Sequence, residues 1–77
     1  MNIHVKYFGL LTEVTGCSVE VFEFEGNCID DLLIELYKKY PALRSKDFKV
    51  AQAQELVKES ELITGEEIAL LPPFSGG

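Results

Sequence analysis

Ile29-Asp30-Asp31-Leu32-Leu33-Ile34-Glu35-Leu36-Tyr37-Lys38-Lys39-Tyr40 is the stretch that decides the fold of this 77-residue chain. Ile29, Leu32, Leu33, Leu36, Tyr37 and Tyr40 recur at the spacing of one helical face, which predicts a helix with a single broad apolar stripe. Asn27 can cap it, with Asp30 three residues on. Asp30 and Asp31 stand at the positive end of the helix dipole, Lys38 and Lys39 at the negative end, and Pro41 stops it. A helix with one apolar stripe has to lie across another layer.

The flanks supply that layer. Upstream, Ile3 to Phe8 alternates Ile3, Val5, Tyr7 against His4, Lys6, Phe8 and reads as a strand. Gly9 breaks it, and Leu10, Leu11 and Val14 before Gly16 read as one or two helical turns with a glycine just past their end. Val19 to Phe24 is a second strand, close enough to pair with the first. Downstream, a polar loop around Arg44-Ser45-Lys46-Asp47 leads to a third strand, Phe48 to Ala53, from which Glu55-Leu56-Val57 extends or folds back as a hairpin. Thr64-Gly65 turns the chain into a last strand, Ile68 to Leu71. The order β, β, α, β, β, with first and last strands bracketing the rest, packs most economically as a mixed sheet with the helix across one face. That α+β architecture is the β-grasp, the ubiquitin-like roll, expected over residues 1–71 with 72–77 as an extended tail.

A chain this short buries only about 60% of the surface it exposes unfolded, which leaves no room for both a core and an enclosed active site. Its hydrophobic fraction of 47% excludes a disordered protein. No apolar run nears the roughly 20 residues of a membrane span, and Met1-Asn2-Ile3-His4 does not open a signal peptide, so a cytoplasmic location is expected. The net charge of −6 repels phosphate backbones and anionic lipids, so neither nucleic acid nor membrane is an expected partner; a protein with a basic face is. Cys17 and Cys28 have no metal or redox spacing and read as ordinary thiols. His4 is the single histidine and reads as a strand residue, with no cluster around it to hold a metal.

The chemistry therefore falls to the tail. Glycine is about 7% of average composition, so two in succession at a given place have a chance of roughly half a per cent. Gly76-Gly77, without Cβ atoms, can thread a slot as narrow as the backbone and offer the last carboxylate to another protein. Pro72-Pro73 fixes φ twice and holds an arm extended. A frayed end is the bland alternative, though such ends are usually charged or Ser-rich and this one is apolar and prolyl.

Three blocks carry a family resemblance: Tyr7-Phe8-Gly9 with Leu11 to Gly16, the helix ending in Tyr40-Pro41, and Thr64-Gly65-Glu66-Glu67-Ile68-Ala69-Leu70-Leu71-Pro72-Pro73-Phe74-Ser75-Gly76-Gly77. With them the chain resembles the small subunit of molybdopterin synthase, a ubiquitin-like sulfur carrier, over nearly its whole length. It departs from that family in having Cys28 where a helix-capping Thr is usual and Ala53 where Asn is usual; the first bears on helix stability, the second on turn geometry.

The resemblance implies that the chain is not an enzyme on its own but the sulfur-donor subunit of a sulfurtransferase complex. Gly77 would be adenylated and converted to a thiocarboxylate that donates sulfur to a cyclic pyranopterin. Gly76 and Ser75 would thread the partner's channel, and Phe8, Leu56, Leu71, Pro72, Pro73 and Phe74 would bind partners. Phe8, Leu56 and Leu71 could equally be core. The implied partners are a large synthase subunit in a heterotetramer, a ubiquitin-activating-like adenylyltransferase that uses ATP and magnesium, and a sulfur donor protein. No cofactor or metal is expected on the chain itself. Sulfur carriage for thiamine, an amino acid or tRNA thiolation, and a role as a ubiquitin-like modifier or interaction module, are the competing functions.

Overall fold

The computed structural model describes residues 1–73. Eight elements follow one another: β1 (Asn2–Tyr7), α1 (Leu11–Thr15), β2 (Val19–Glu23), α2 (Ile29–Lys39), a 3-10 turn (Pro41–Ser45), β3 (Lys49–Gln52), β4 (Glu55–Val57) and β5 (Ile68–Leu71). The strands form one sheet in the order β2-β1-β5-β3-β4, with β1 and β5 parallel and every other neighbouring pair antiparallel. This is the expected β-grasp: the first and last strands lie side by side at the centre, and the main helix covers one face.

The core forms where the two periodicities meet. From α2, Ile29, Leu32, Leu33 and Leu36 are buried, and the sheet answers with Ile3, Val5 and Tyr7 of β1, Val50 of β3, and Ile68 and Leu70 of β5. Each such aliphatic side chain contributes about 1.5–3 kcal/mol relative to exposure. Gly16 ends α1 in the left-handed region at φ 79°, as its position predicts.

Three expectations are corrected. The cap of α2 is Cys28, with Asp31 as its third helical residue, in place of Asn27 with Asp30. The Asp31 carboxylate accepts the amides of Asn27 (3.0 Å) and Cys28 (3.2 Å), and those backbone bonds hold its pKa below the usual carboxylate value. The loop from Lys58 to Ile63 decides this frame: the Ile29 and Asp30 amides donate to the Glu61 and Glu59 carbonyls, and the Ile63 amide to that of Asn27. Second, the polar loop after α2 begins as the 3-10 turn, which plants Leu43 fully buried in the core. Third, Glu55-Leu56-Val57 does fold back, as β4, so the expected third strand ends at Gln52 and not Ala53. The two-residue connection has positive φ at both Ala53 (53°) and Gln54 (68°), the signature of a type I′ hairpin turn.

Two polar groups inside this frame are fully partnered. Gln52 is buried, donates from Nε2 to the Leu62 carbonyl and accepts the Thr64 amide, each at 3.0 Å, which pins the loop that leads into β5. Glu20, on the inward-facing side of β2, joins three elements. Its Oε1 accepts the hydroxyls of Tyr7 (2.5 Å) and Tyr40 (2.8 Å), and its Oε2 meets Lys39 Nζ at 2.7 Å. Burial pushes the Glu20 pKa up, but the bonds from Lys39, Tyr7 and Tyr40 outweigh it and leave the carboxyl below its ordinary value. Burial, and then the bond to Glu20, push Tyr40 up to about 12 and raise Tyr7 as well.

Candidate functional site

The sheet has a second face, turned away from α2. Because Ile3, Val5 and Tyr7 point into the core, His4 and Lys6 point out, and Phe8 continues their alternation beyond the end of β1. The pairing register extends one outward row across all five strands: Val19 lies opposite Lys6, Lys6 opposite Ala69, Ala69 opposite Ala51, and Ala51 opposite Leu56. A second row begins at Leu71, opposite Lys49, with Phe8 on its other side; the Phe8 amide donates to the Leu70 carbonyl at 3.3 Å.

This face answers the alternatives left open for three residues. Phe8 is 43% exposed, Leu56 is 64% exposed, and Leu71 is half-buried, so none belongs to the core. Phe8 and Leu71 come together on one row, while Leu56 lies at the far edge of the adjoining row. The strand alternation also brings in exposed Val19, half-buried Ala69 and buried Ala51, which sequence reasoning passed over. All three needed the register, because Val19 to Phe24 carries apolar residues in both phases of its alternation. Lys6 is the one charge in the long row, and it forms an exposed ion pair with Glu67 at 3.2 Å.

Pro72 and Pro73 leave the sheet directly after β5. A side chain at Gly9 would bring a Cβ to 3.0 Å from Pro72 Cγ, and Gly9 sits at φ 57°, so glycine there lets the arm start flush against the end of β1. The open face and the start of the arm therefore form one continuous surface. The roles expected of Phe74, Ser75, Gly76 and Gly77 lie outside the described residues. Cys17 and Cys28 are half-buried free thiols, away from the rows of this face, and His4 is an exposed β1 residue. No group of His, Cys, Asp and Glu fit to hold a metal ion occurs among the described residues. No helix among them is long and apolar enough to cross a membrane.

A family model described as "ThiS family" matches residues 5–77. The chain belongs to this family. A curated relative, the molybdopterin synthase sulfur carrier subunit of Chlamydomonas reinhardtii, is 39% identical over 83 aligned positions that cover 100% of both chains. Among solved structures, SAMP1 from Haloferax volcanii superposes with a TM-score of 0.81 at 29% identity, covering 100% of both chains. Subunit 1 or 2 of the molybdopterin-converting factor from Helicobacter pylori, solved as a protein–protein complex of the two, matches with a TM-score of 0.65 at 27% identity, again over 100% of both chains. The family resemblance read from the tail, the helix end and the opening strand is thus borne out, as is the β-grasp fold.

Proposed function

We propose that this protein is the sulfur carrier subunit of a molybdopterin synthase, a donor whose catalytic groups belong to its partner. The observation that carries the reading is the end-to-end 39% identity to the Chlamydomonas subunit, and the continuous surface of open sheet face and prolyl arm supports it. On this reading the face docks on a large subunit, as the complex of the two Helicobacter pylori subunits suggests, and the arm delivers Gly77 to it.

The chemistry proceeds in three steps. A partner adenylyltransferase, using ATP and magnesium, lets the Gly77 carboxylate attack the α-phosphorus, and pyrophosphate leaves. That step is needed because a carboxylate oxygen is a poor leaving group and AMP is a good one. The terminal sulfur of a persulfide on the sulfur donor then attacks the acyl carbon and AMP departs, and a thiol cleaves the resulting acyl disulfide, leaving with the donor as a disulfide and releasing the thiocarboxylate on Gly77. In the large subunit the thiocarboxylate sulfur attacks a side-chain carbon of the pyranopterin precursor and displaces an oxygen substituent there, and water then cleaves the acyl–sulfur bond, leaving sulfur on the pterin and returning the Gly77 carboxylate.

Intact-mass spectrometry of the protein isolated from cells tests this. The expected result is a fraction heavier by one oxygen-to-sulfur exchange, localised to Gly77 and absent when Gly77 is deleted. The likeness to SAMP1, the small archaeal modifier protein 1 of Haloferax volcanii, favours a second reading, in which Gly77 joins a lysine of a target protein. The same spectra separate the two: an isopeptide adduct without any thiocarboxylate refutes carriage.

A further inference from the structure

The basic residues of this acidic chain are unevenly placed. Lys6, Lys38 and Lys39 are held in ion pairs with Glu67, Glu35 and Glu20. The other four, Arg44, Lys46, Lys49 and Lys58, gather around one groove of about 670 Å³ between α2 and the β3–β4 hairpin. None of these four has an ion-pair partner among the described residues. Lys46 and Lys58 line the groove, Lys49 stands at its rim on the outward side of β3, and the Arg44 guanidinium lies 4.8 Å over the ring of Tyr37. Around the groove and its Tyr37 four cations stand against three carboxylates, Asp30, Asp47 and Glu59, whereas the rest of the chain sets three cations against ten carboxylates.

The floor is apolar and the rim is a sheet edge. Leu33 and Tyr37 of α2 face Phe48, Val50 and Val57 across the groove, with Tyr37 and Phe48 in tilted ring contact at 6.4 Å. β4 is the terminal strand of the sheet and pairs only with β3, so the outward backbone groups of Glu55–Val57 have no strand beside them.

We propose that this groove is a docking site for an extended acidic segment of a partner protein, which adds to the free edge of β4. Such a segment sets its carboxylates over Lys46 and Lys58 and its alternate apolar side chains on the Tyr37–Phe48 floor. A nucleic acid fits less well, because its charge extends well beyond the four cations into a surface dominated by carboxylates. This second surface, on the α2 side of the hairpin, adjoins the open face at Lys49 and Leu56 but does not rest on the sulfur-carrier reading; it suits an acidic ligand, whereas the surface at large suits a basic one.

The test is amide chemical-shift mapping of the full chain with a synthetic peptide that alternates Glu or Asp with Val. Shifts centred on Lys46–Val50 and Glu55–Ser60 are expected, with affinity falling as salt is raised from about 50 to about 300 mM. A peptide with Lys in place of the acids should leave the spectrum unchanged. Lys46→Glu with Lys58→Glu should weaken the acidic peptide about fivefold or more, and Lys46→Gln with Lys58→Gln serves if the reversed variant does not fold. No binding, equal binding of the lysine peptide, shifts centred elsewhere, or a single-stranded oligonucleotide that occupies the groove in preference to the peptide would each overturn the proposal.

Discussion

Removing the Glu20 carboxylate should destabilise the fold more than any other surface-reaching change, because one side chain ties β1, β2 and the end of α2 together. Glu20 accepts from Tyr7, Tyr40 and Lys39, and its side chain is only 14% exposed, so solvent weakens these bonds little. A hydrogen bond to a charged group is worth about 1.5–3 kcal/mol, and bonds on one acceptor do not add in full. Glu20→Ala leaves the Tyr7 and Tyr40 hydroxyls without their acceptor and should cost about 3 kcal/mol, or a fall in Tm of about 12–24 °C for a domain of this size. Glu20→Gln keeps an acceptor for the tyrosines but loses the ion pair, and should cost about half as much.

The pH profile identifies the cause. Glu20 is held below its ordinary value of 4.5, so the advantage of the native protein over Glu20→Gln should be full above pH 4.5 and vanish as pH falls through the folded value. Tyr40, raised from 10.0 to about 12, contributes stability that is full below pH 10.0 and is lost as pH rises through about 12. Thermal and urea denaturation followed by circular dichroism across that range provide the measurement. A Glu20→Ala protein that melts within about 2 °C of the native one would refute the argument, as would a Glu20→Gln difference that persists unchanged at pH 2.

Two further outcomes follow from named geometry. Replacing Ala53 by Asn and Gln54 by Gly supplies residues suited to positive φ at both turn positions and should stabilise the protein by about 1 kcal/mol, raising Tm by about 4–8 °C; an unchanged or lower Tm contradicts the type I′ assignment. Phe8→Ala should leave Tm nearly unaltered, since the ring is 43% exposed, yet weaken binding to a large synthase subunit by about 2 kcal/mol, or roughly thirtyfold in Kd by calorimetry; unaltered affinity would remove Phe8 from the docking face.

The elements most legible in the sequence were those whose signals are local. α2 announced itself by its period, α1 by Gly16, and β1 by its alternation. Where the reading slipped, a distant segment made the choice. Asn27 is the better cap in isolation, but the carbonyls of Glu59 and Glu61 occupy the Asp30 and Ile29 amides and set the helix frame at Cys28. Leu43 is a lone apolar residue before a polar run, with no period to betray it, yet it fills the core. Glu20 reads as an outlier in a β-prone run because its partners, Tyr7 and Tyr40, are 13 and 20 residues away.

The open face proposed for docking was only half legible in the sequence. In Ile68-Ala69-Leu70-Leu71 all four residues are apolar, so the run gives no alternation and cannot say which side chains face the helix. A continuous apolar run suits a strand covered on both faces. The structure places β5 at the centre of the sheet and covers its inner face, Ile68 and Leu70, with α2. On the other face, Ala69 and Leu71 stand in rows with Val19, Leu56 and Phe8, all at least partly exposed, and with Ala51, which is buried. On the proposed reading, a strand composed for two covers but given one by its own described chain takes the second from a partner. That is why the composition of β5, which is silent on register, still bears on function, and why the surface beside the arm is where a binding measurement should begin.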